Sequence, residues 1–233
     1  MVRQPAVLKP GAVAFPPPEQ ALAEPNGLLA IGGELSSELL LTAYAHGIFP
    51  WFNDERGPIL WWSPDPRAVI DPAGLKISRS LRRRLLRGEL RVTLDKAFGE
   101  VVAGCAAPRD TGGGTWITSS IQRAYGELHQ LGFAHSAETW LGPQLVGGLY
   151  GVSIGRMFFG ESMFSRVTDA SKVAIARLAG QLSDWEFELI DCQIMNPHLR
   201  SLGAFEMPRG EFLARLRNNA RVTTRRGIWQ LDE

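Results

Sequence analysis

Between residues 118 and 217 the spacing of apolar residues switches from a helical period to a strand period and back. That order restricts the fold more than any other feature of the 233-residue chain. Ile121, Ala124, Tyr125 and Leu128 recur at i, i+3, i+4 and i+7, which predicts an amphipathic helix over 118–131. Three aromatic-rich segments separated by glycines follow at 134–140, 144–154 and 156–164, and they read as strands. A second helix opens at Asp169, a residue able to cap it, and carries Ile175, Leu178, Ala179 and Leu182 on one face. Segment 186–194 reads as a strand, and short helices are expected at 196–202 and 209–217. Helix, three strands, helix, strand, helix is an α+β order with a largely antiparallel sheet.

The N-terminal part is built differently. Eleven of the fifteen prolines fall at or before Pro72. Ser36 is a good N-cap for Leu39, Leu40 and Tyr44, and Gly47 a good terminator, so a helix is expected over 36–46. Gly57 to Pro66 reads as a strand closed by a proline-rich linker, which places a domain boundary near residues 63–72.

A chain of this length buries roughly 70% or more of its unfolded surface, so no disulfide or metal staple is needed. Cys105 and Cys192 have no CxxC spacing, which suits a reducing compartment. Prolines interrupt the N-terminus before a signal-like apolar stretch forms, and no run approaches the ~18 apolar residues of a membrane span. A cytoplasmic protein with no membrane partner is expected. The net charge of +1 gives the whole chain no bulk attraction for polyanions. A local basic patch does exist: Lys76, Arg79, Arg82, Arg83, Arg84, Arg87 and Arg91 stand against the single acid Glu89.

Cofactor chemistry finds little support. There is no GxxxxGK[ST] cradle, no GxGxxG after a strand and no GxSxG elbow, and His46, His129, His135 and His198 form no HExxH or paired metal spacing. Neither cofactor nor metal is expected. Strand alternation would put Asp191 and Gln193 on one face, shared with Phe187 and Leu189, and Cys192 on the other. Two readings are open for Asp191: a structural carboxylate held by backbone amides or an arginine, or one that holds a substrate ammonium. Glu161 lies inside an apolar strand and poses the same choice, with Arg166 or Lys172 as its structural partner or a cationic ligand as its functional one. Phe158, Met163 and Phe164 suit either core or an apolar ligand pocket. Seven tryptophans, three of them at 51, 61 and 62, suit core or interface, and beside an arginine cluster they also suit base stacking.

Six strings carry a resemblance. They are Glu24 to Ala30 (EPNGLLA), Gly47 to Phe52 (GIFPWF), Trp61 to Arg67 (WWSPDPR), Gly114 to Thr118 (GTWIT), Gly160 to Arg166 (GESMFSR) and Ile190 to Gln193 (IDCQ). From about Phe15 to Leu216 the chain resembles the bacterial leucyl/phenylalanyl-tRNA–protein transferase family. It departs from the family in a glycine stretch at 112–114, in Leu149 where Met is common, and in the tail after Arg217. The resemblance implies a small N-terminal α/β domain (1–64) and a C-terminal GNAT-like acyltransferase domain (65–233). It implies transfer of Leu or Phe, less well Met, from aminoacyl-tRNA to the α-amine of proteins beginning with Arg or Lys, as a degradation signal. No cofactor is implied, and a monomer is expected.

Residue by residue, the resemblance makes Asp191 and Gln193 catalytic and Glu161 the reader of the acceptor's cationic side chain. Trp51 and Trp116 would hold the 3′-terminal adenosine. Leu149, Phe158, Met163 and Ile190 would line the aminoacyl pocket, and Arg79, Arg82, Arg83, Arg84 and Arg87 would contact tRNA backbone. An aminoacyl ester is already activated, so no covalent nucleophile is required. Proton removal by an ordinary Asp (pKa near 4) from an α-amine (pKa near 8) is uphill by roughly 5–6 kcal/mol. Asp191 is therefore expected to orient the amine and stabilise the ammonium formed on attack, with Gln193 fixing Asp191 or binding the ester carbonyl and the ribose 2′-hydroxyl shuttling the proton. A CoA-dependent N-acyltransferase and a non-catalytic RNA-binding module are the competing readings. An acid and no glycine at the Ser165–Ser171 helix start disfavour the former, since pyrophosphate prefers a glycine-rich turn there.

Overall fold

The computed structural model describes residues 4–108 and 116–232, so the glycine stretch at 112–114 lies outside the described residues. The N-terminal sheet contains β1 (Ala6–Leu8), β2 (Leu28–Gly32), β3 (Phe49–Pro50) and β4 (Leu60–Trp62) in the order β1-β2-β4-β3, with only β1 and β2 parallel. Helix α1 (Ser37–Ala45) connects β2 to β3; Ser36 caps it, its hydroxyl accepting from the Leu39 amide at 3.3 Å. Leu39, Leu40, Ala43 and Tyr44 form its buried face.

The larger sheet begins at β5 (Arg67–Ile70), just past the proline-rich linker. The chain continues through α2 (Arg79–Arg87), β6 (Leu90–Leu94), α3 (Phe98–Ala106), α4 (Ser119–Gln130), β7 (Ala134–Leu141), β8 (Gln144–Ile154) and β9 (Met157–Ser165). Then come α5 (Ala170–Asp184), β10 (Leu189–Gln193), α6 (Pro197–Ser201), β11 (Phe205–Met207) and α7 (Arg209–Asn219). The strand order is β11-β5-β10-β9-β8-β7-β6, antiparallel except for β9 and β10, which α5 joins as a crossover. The class is mixed α and β with two mostly antiparallel sheets. Among the described residues no helix is long and apolar enough to cross a membrane.

Helices cover both faces of this sheet. On one, Ile175, Leu178 and Leu182 of α5 pack with Leu149, Phe158 and Ile190. On the other, Val101 and Val102 of α3, Ile121 and Tyr125 of α4, and Tyr44 of α1 pack with Tyr150 and Phe159. The latter cluster also takes in Leu39, Leu40 and Trp61, so the two sheets share one core. Each such buried side chain contributes about 1.5–3 kcal/mol.

Two local expectations are corrected. Asp169 does not cap α5: it sits in the left-handed region (φ 65), its carboxylate turned to Lys172 Nζ at 3.1 Å, and Ser165 Oγ accepts from the Ser171 amide instead. The strand expected from 186 starts only at Leu189, because α5 ends through Glu186 at φ 58 and the Phe187 amide returns to the Leu182 carbonyl.

Candidate active site

Strands β9 and β10 run side by side for three residues, Met157, Phe158 and Phe159 opposite Leu189, Ile190 and Asp191, and then separate. Beyond that point β9 continues to Ser165 paired only with β8. On β10 the register against β5 shifts between Asp191 and Gln193, and Gln193 turns into the left-handed region at φ 65. A cavity of about 730 Å³ opens at this divergence. Its apolar side includes Leu149, Phe158, Met163, Ile175 and Ile190; Trp51 and Trp116 also line it, as do the polar residues Glu161 and Gln193.

Asp191 is not among the lining residues. It is fully buried, with Oδ1 accepting from Arg67 Nε at 2.8 Å and from the Gln193 amide at 2.9 Å, and Oδ2 accepting from Arg67 Nη2 at 2.6 Å. Both oxygens thus have protein partners, and of the two readings open for Asp191 its contacts describe the carboxylate held by an arginine and a backbone amide. The expected common face of Asp191 and Gln193 is corrected for the same stretch. The bulge and the positive φ break the strand alternation, so Ile190, Cys192 and Gln193 reach the cavity together. Arg67 donates further to the Gly47 carbonyl at 3.0 Å, and its guanidinium lies 4.8 Å from the ring centroids of both Phe49 and Phe212. Burial, and then the charge of Asp191, push the Cys192 thiol well above its ordinary range.

Glu161 behaves differently. Its carboxylate accepts from Tyr44 Oη at 2.8 Å, Tyr125 Oη at 3.0 Å and Gln193 Nε2 at 3.0 Å. The Tyr44 and Tyr125 hydroxyls are also within hydrogen-bond reach of each other, so their two protons serve two of the three contacts among Tyr44, Tyr125 and Glu161 at a time while Glu161 is ionised. The anticipated structural partners are elsewhere: Arg166 donates to the Leu145 carbonyl and Lys172 pairs with Asp169. Among the described residues no cation forms an ion pair with Glu161. Burial raises its pKa from 4.5 to about 7, with the charge of Asp191 adding to the rise while the three donors oppose it. Burial, and then the Glu161 charge, hold the Tyr44 and Tyr125 phenols well above their ordinary value. The arrangement is a carboxylate lacking a counter-charge, at the boundary between an apolar pocket and a polar floor.

Trp51 is 39% exposed at the cavity, edge-on to Trp62 with ring centroids 5.7 Å apart, and the Trp62 indole N–H donates to its carbonyl. Trp116 is partly buried. The arginine cluster forms α2, capped by the Ser78 hydroxyl and ended by Gly88 at φ 68. Arg79, Arg82, Arg83 and Arg87 are exposed and make no ion pair among the described residues, whereas Arg84 donates to Glu89 at 2.6 Å. Sequence reasoning misses Arg67, Tyr44 and Tyr125 as parts of the site. Tyr44 and Tyr125 look like ordinary core at helical spacing, and only Arg67 carries a signal, a cation placed directly before the apolar run Ala68–Val69–Ile70.

A family model described as leucyl/phenylalanyl-tRNA protein transferase matches residues 69–217, and one described as the N-terminal domain of that transferase matches residues 33–65. A leucyl/phenylalanyl-tRNA–protein transferase of Thiobacillus denitrificans is 57% identical over 218 residues, covering 94% of this chain and 95% of the relative. Another, of Aromatoleum aromaticum, is 56% identical over 223 residues, covering 96% and 94%. Likeness to solved structures is slight. The C-terminal domain of a putative lysylphosphatidylglycerol synthetase from Agrobacterium fabrum aligns with a TM-score of 0.41 and 13% identity, over 74% of this chain and 56% of that one.

Proposed function

The chain belongs to the leucyl/phenylalanyl-tRNA–protein transferase family and is an aminoacyltransferase, and from that premise we propose how its cavity divides the work. Leu or Phe, less well Met, is carried on its tRNA into the apolar side formed by Leu149, Phe158, Met163 and Ile190. Trp51 and Trp116 hold the 3′-terminal adenosine at the same cavity. The acceptor, a protein beginning with Arg or Lys, places its cationic side chain on Glu161 and so receives a degradation signal. The uncompensated Glu161 carboxylate supports this most directly: Tyr44, Tyr125 and Gln193 surround it, no protein cation neutralises it among the described residues, and it borders the apolar pocket.

Catalysis is then a matter of placement. The ester is already activated, so the protein has to hold a neutral amine against the carbonyl in an aligned geometry. Gln193 spends its side-chain N–H on Glu161, and its amide oxygen accepts no hydrogen bond among the described residues. That oxygen is the group we assign to the amine N–H. Asp191 acts one step back, fixing the Gln193 backbone through the 2.9 Å hydrogen bond. As the amide bond forms and the ester C–O bond breaks, the ribose 2′-hydroxyl relays the amine proton to the departing 3′-oxygen. The separation of the parallel pair β9 and β10 around the reacting centre supports a GNAT-like C-terminal domain over 65–233, with 1–64 as a small α/β domain. We take the protein to act as a cytoplasmic monomer, with the α2 arginines on the tRNA backbone.

The test is a transfer assay with Leu-, Phe-, Met- and Ile-charged tRNA against Arg- and Glu-starting peptides. Leu and Phe are expected to move to the Arg peptide alone, with Met slower, and Glu161→Gln is expected to lose the preference for Arg. Equal transfer to the Glu-starting peptide would overturn the assignment of Glu161.

A further inference from the structure

The C-terminal tail runs beyond residue 217, where the family match ends, and delivers one large aromatic side chain into the core. Trp229 is 2% exposed. Its backbone N–H donates to Asp95 Oδ2 at 2.7 Å, its indole N–H donates to the Arg225 carbonyl at 3.0 Å, and its ring stacks on His135 at 3.6 Å between centroids. Flanking contacts hold the segment down: Thr224 accepts from the Gly155 amide, and Asp232 accepts from Gln181 and Trp185. The tail is therefore built into the fold at several points.

Trp229 does not line the cavity, but Phe158, which does, lies 6.1 Å from it between ring centroids. The Phe158 ring also lies against Gly151 of β8, where an added Cβ would fall 2.7 Å from the ring. Phe158 thus has the β8 backbone and the indole among its neighbours. Trp229 also belongs to the same buried cluster as Leu149, Ile175 and Ile190, three further apolar residues of the lining. We infer that Trp229 is a specificity-determining positioning residue, which sets the depth of the aminoacyl pocket by fixing Phe158 from behind. This rests on the assignment of that pocket to the transferred side chain.

Interiors are close-packed, so removing an indole leaves a void into which the neighbouring ring relaxes. Retreat of Phe158 deepens the pocket and favours the longer donor. The experiment measures kcat/KM for Phe-tRNA and Leu-tRNA with one Arg-starting peptide, in the full chain and in Trp229→Ala, Trp229→Phe and Phe158→Ala. A purely structural loss lowers both donors alike and leaves their ratio unchanged. The expected result is a Phe-to-Leu ratio raised at least fivefold in Trp229→Ala, carried by KM for the tRNA, with a smaller rise in the better-folded Trp229→Phe. An altered ratio in Phe158→Ala with an unchanged ratio in both Trp229 variants overturns the role of Trp229 and leaves the pocket assignment standing. An unchanged ratio in Phe158→Ala as well overturns the pocket assignment itself.

Discussion

Arg67 and Asp191 form a fork-to-fork pair at 2.8 and 2.6 Å with both side chains out of solvent, although 124 residues separate them in the chain. The pair joins the first strand of the large sheet to the strand that carries Gln193. Its geometry is specific, because two parallel N–H bonds from the planar guanidinium fix the plane of the carboxylate. The orientation passes to Gln193 through the amide that donates to Asp191.

Removing one partner of such a pair strands the other charge in the interior. Asp191→Ala is expected to lower unfolding free energy by about 3–5 kcal/mol, and Arg67→Ala by a similar amount. Urea denaturation reads both. The isosteric Asp191→Asn separates roles: a positioning Asp191 predicts a lower kcat with the acidic limb of the pH–rate profile retained, whereas loss of that limb would make Asp191 the proton acceptor.

Glu161 supplies a pH dependence of known sign. Its pKa stands at about 7 in the fold against 4.5 ordinarily, so it is neutral below pH 7 and charged above. Affinity for an Arg-starting peptide should fall as pH drops through 7, approaching tenfold per unit well below it, and Glu161→Gln should bind weakly with no such slope. Fluorescence polarisation of a labelled peptide measures this directly. Stability runs the other way: folding favours the protonated acid, so the contribution is complete below pH 4.5 and lost as pH rises through 7. Glu161→Gln should therefore melt higher than the parent at pH 8 and converge with it at pH 5.

Segments with a strong apolar period are legible in the sequence alone. Helix α4 buries Ile121, Ala124, Tyr125 and Leu128 as spaced, and β8 spans the expected 144–154. Helix α3 carries an equally clear pattern, with Phe98, Val101, Val102 and Cys105 at i, i+3, i+4 and i+7, yet it is absent from the expected elements. Strands β5 and β11 are short and gain their identity from pairing, β5 with β10 and β11 and β11 with β5, which no local pattern encodes. The site divides in the same way. Glu161, Met163, Ile190 and Gln193 of the cavity lie in motif strings, but the face of Asp191 does not follow from its string, because a bulge and a positive φ at Gln193 are tertiary features. The partners of Glu161 come from α1 and α4, 117 and 36 residues away, and no spacing rule joins them.

Trp51 and Trp116 should contribute to one ligand group only. If both stack on the terminal adenosine, each Ala substitution weakens binding of intact tRNA by about 1–3 kcal/mol. The same substitutions should leave the affinity for tRNA lacking that nucleotide unchanged. Filter binding with the two tRNAs decides it, and an equal loss on both would reassign the indoles to structure.

The α2 arginines differ among themselves in a way that salt titration can read. Backbone contacts release counterions, so log affinity for tRNA falls linearly with log salt, by roughly 0.7–0.9 per phosphate neutralised. Arg79, Arg82, Arg83 and Arg87 are exposed and unpaired among the described residues, so each Ala substitution at a contacting position should reduce the slope by about that amount. Arg84 already has Glu89 at 2.6 Å and must give up that partner to meet a phosphate, so Arg84→Ala should change the slope least. Glu89→Gln should in turn strengthen binding at low salt and steepen the slope, because it frees Arg84. None of these changes should alter the ratio of Leu to Phe transfer, since backbone contacts position the tRNA without reading its cargo. A slope indifferent to all five arginine substitutions would place the tRNA on another face of the protein.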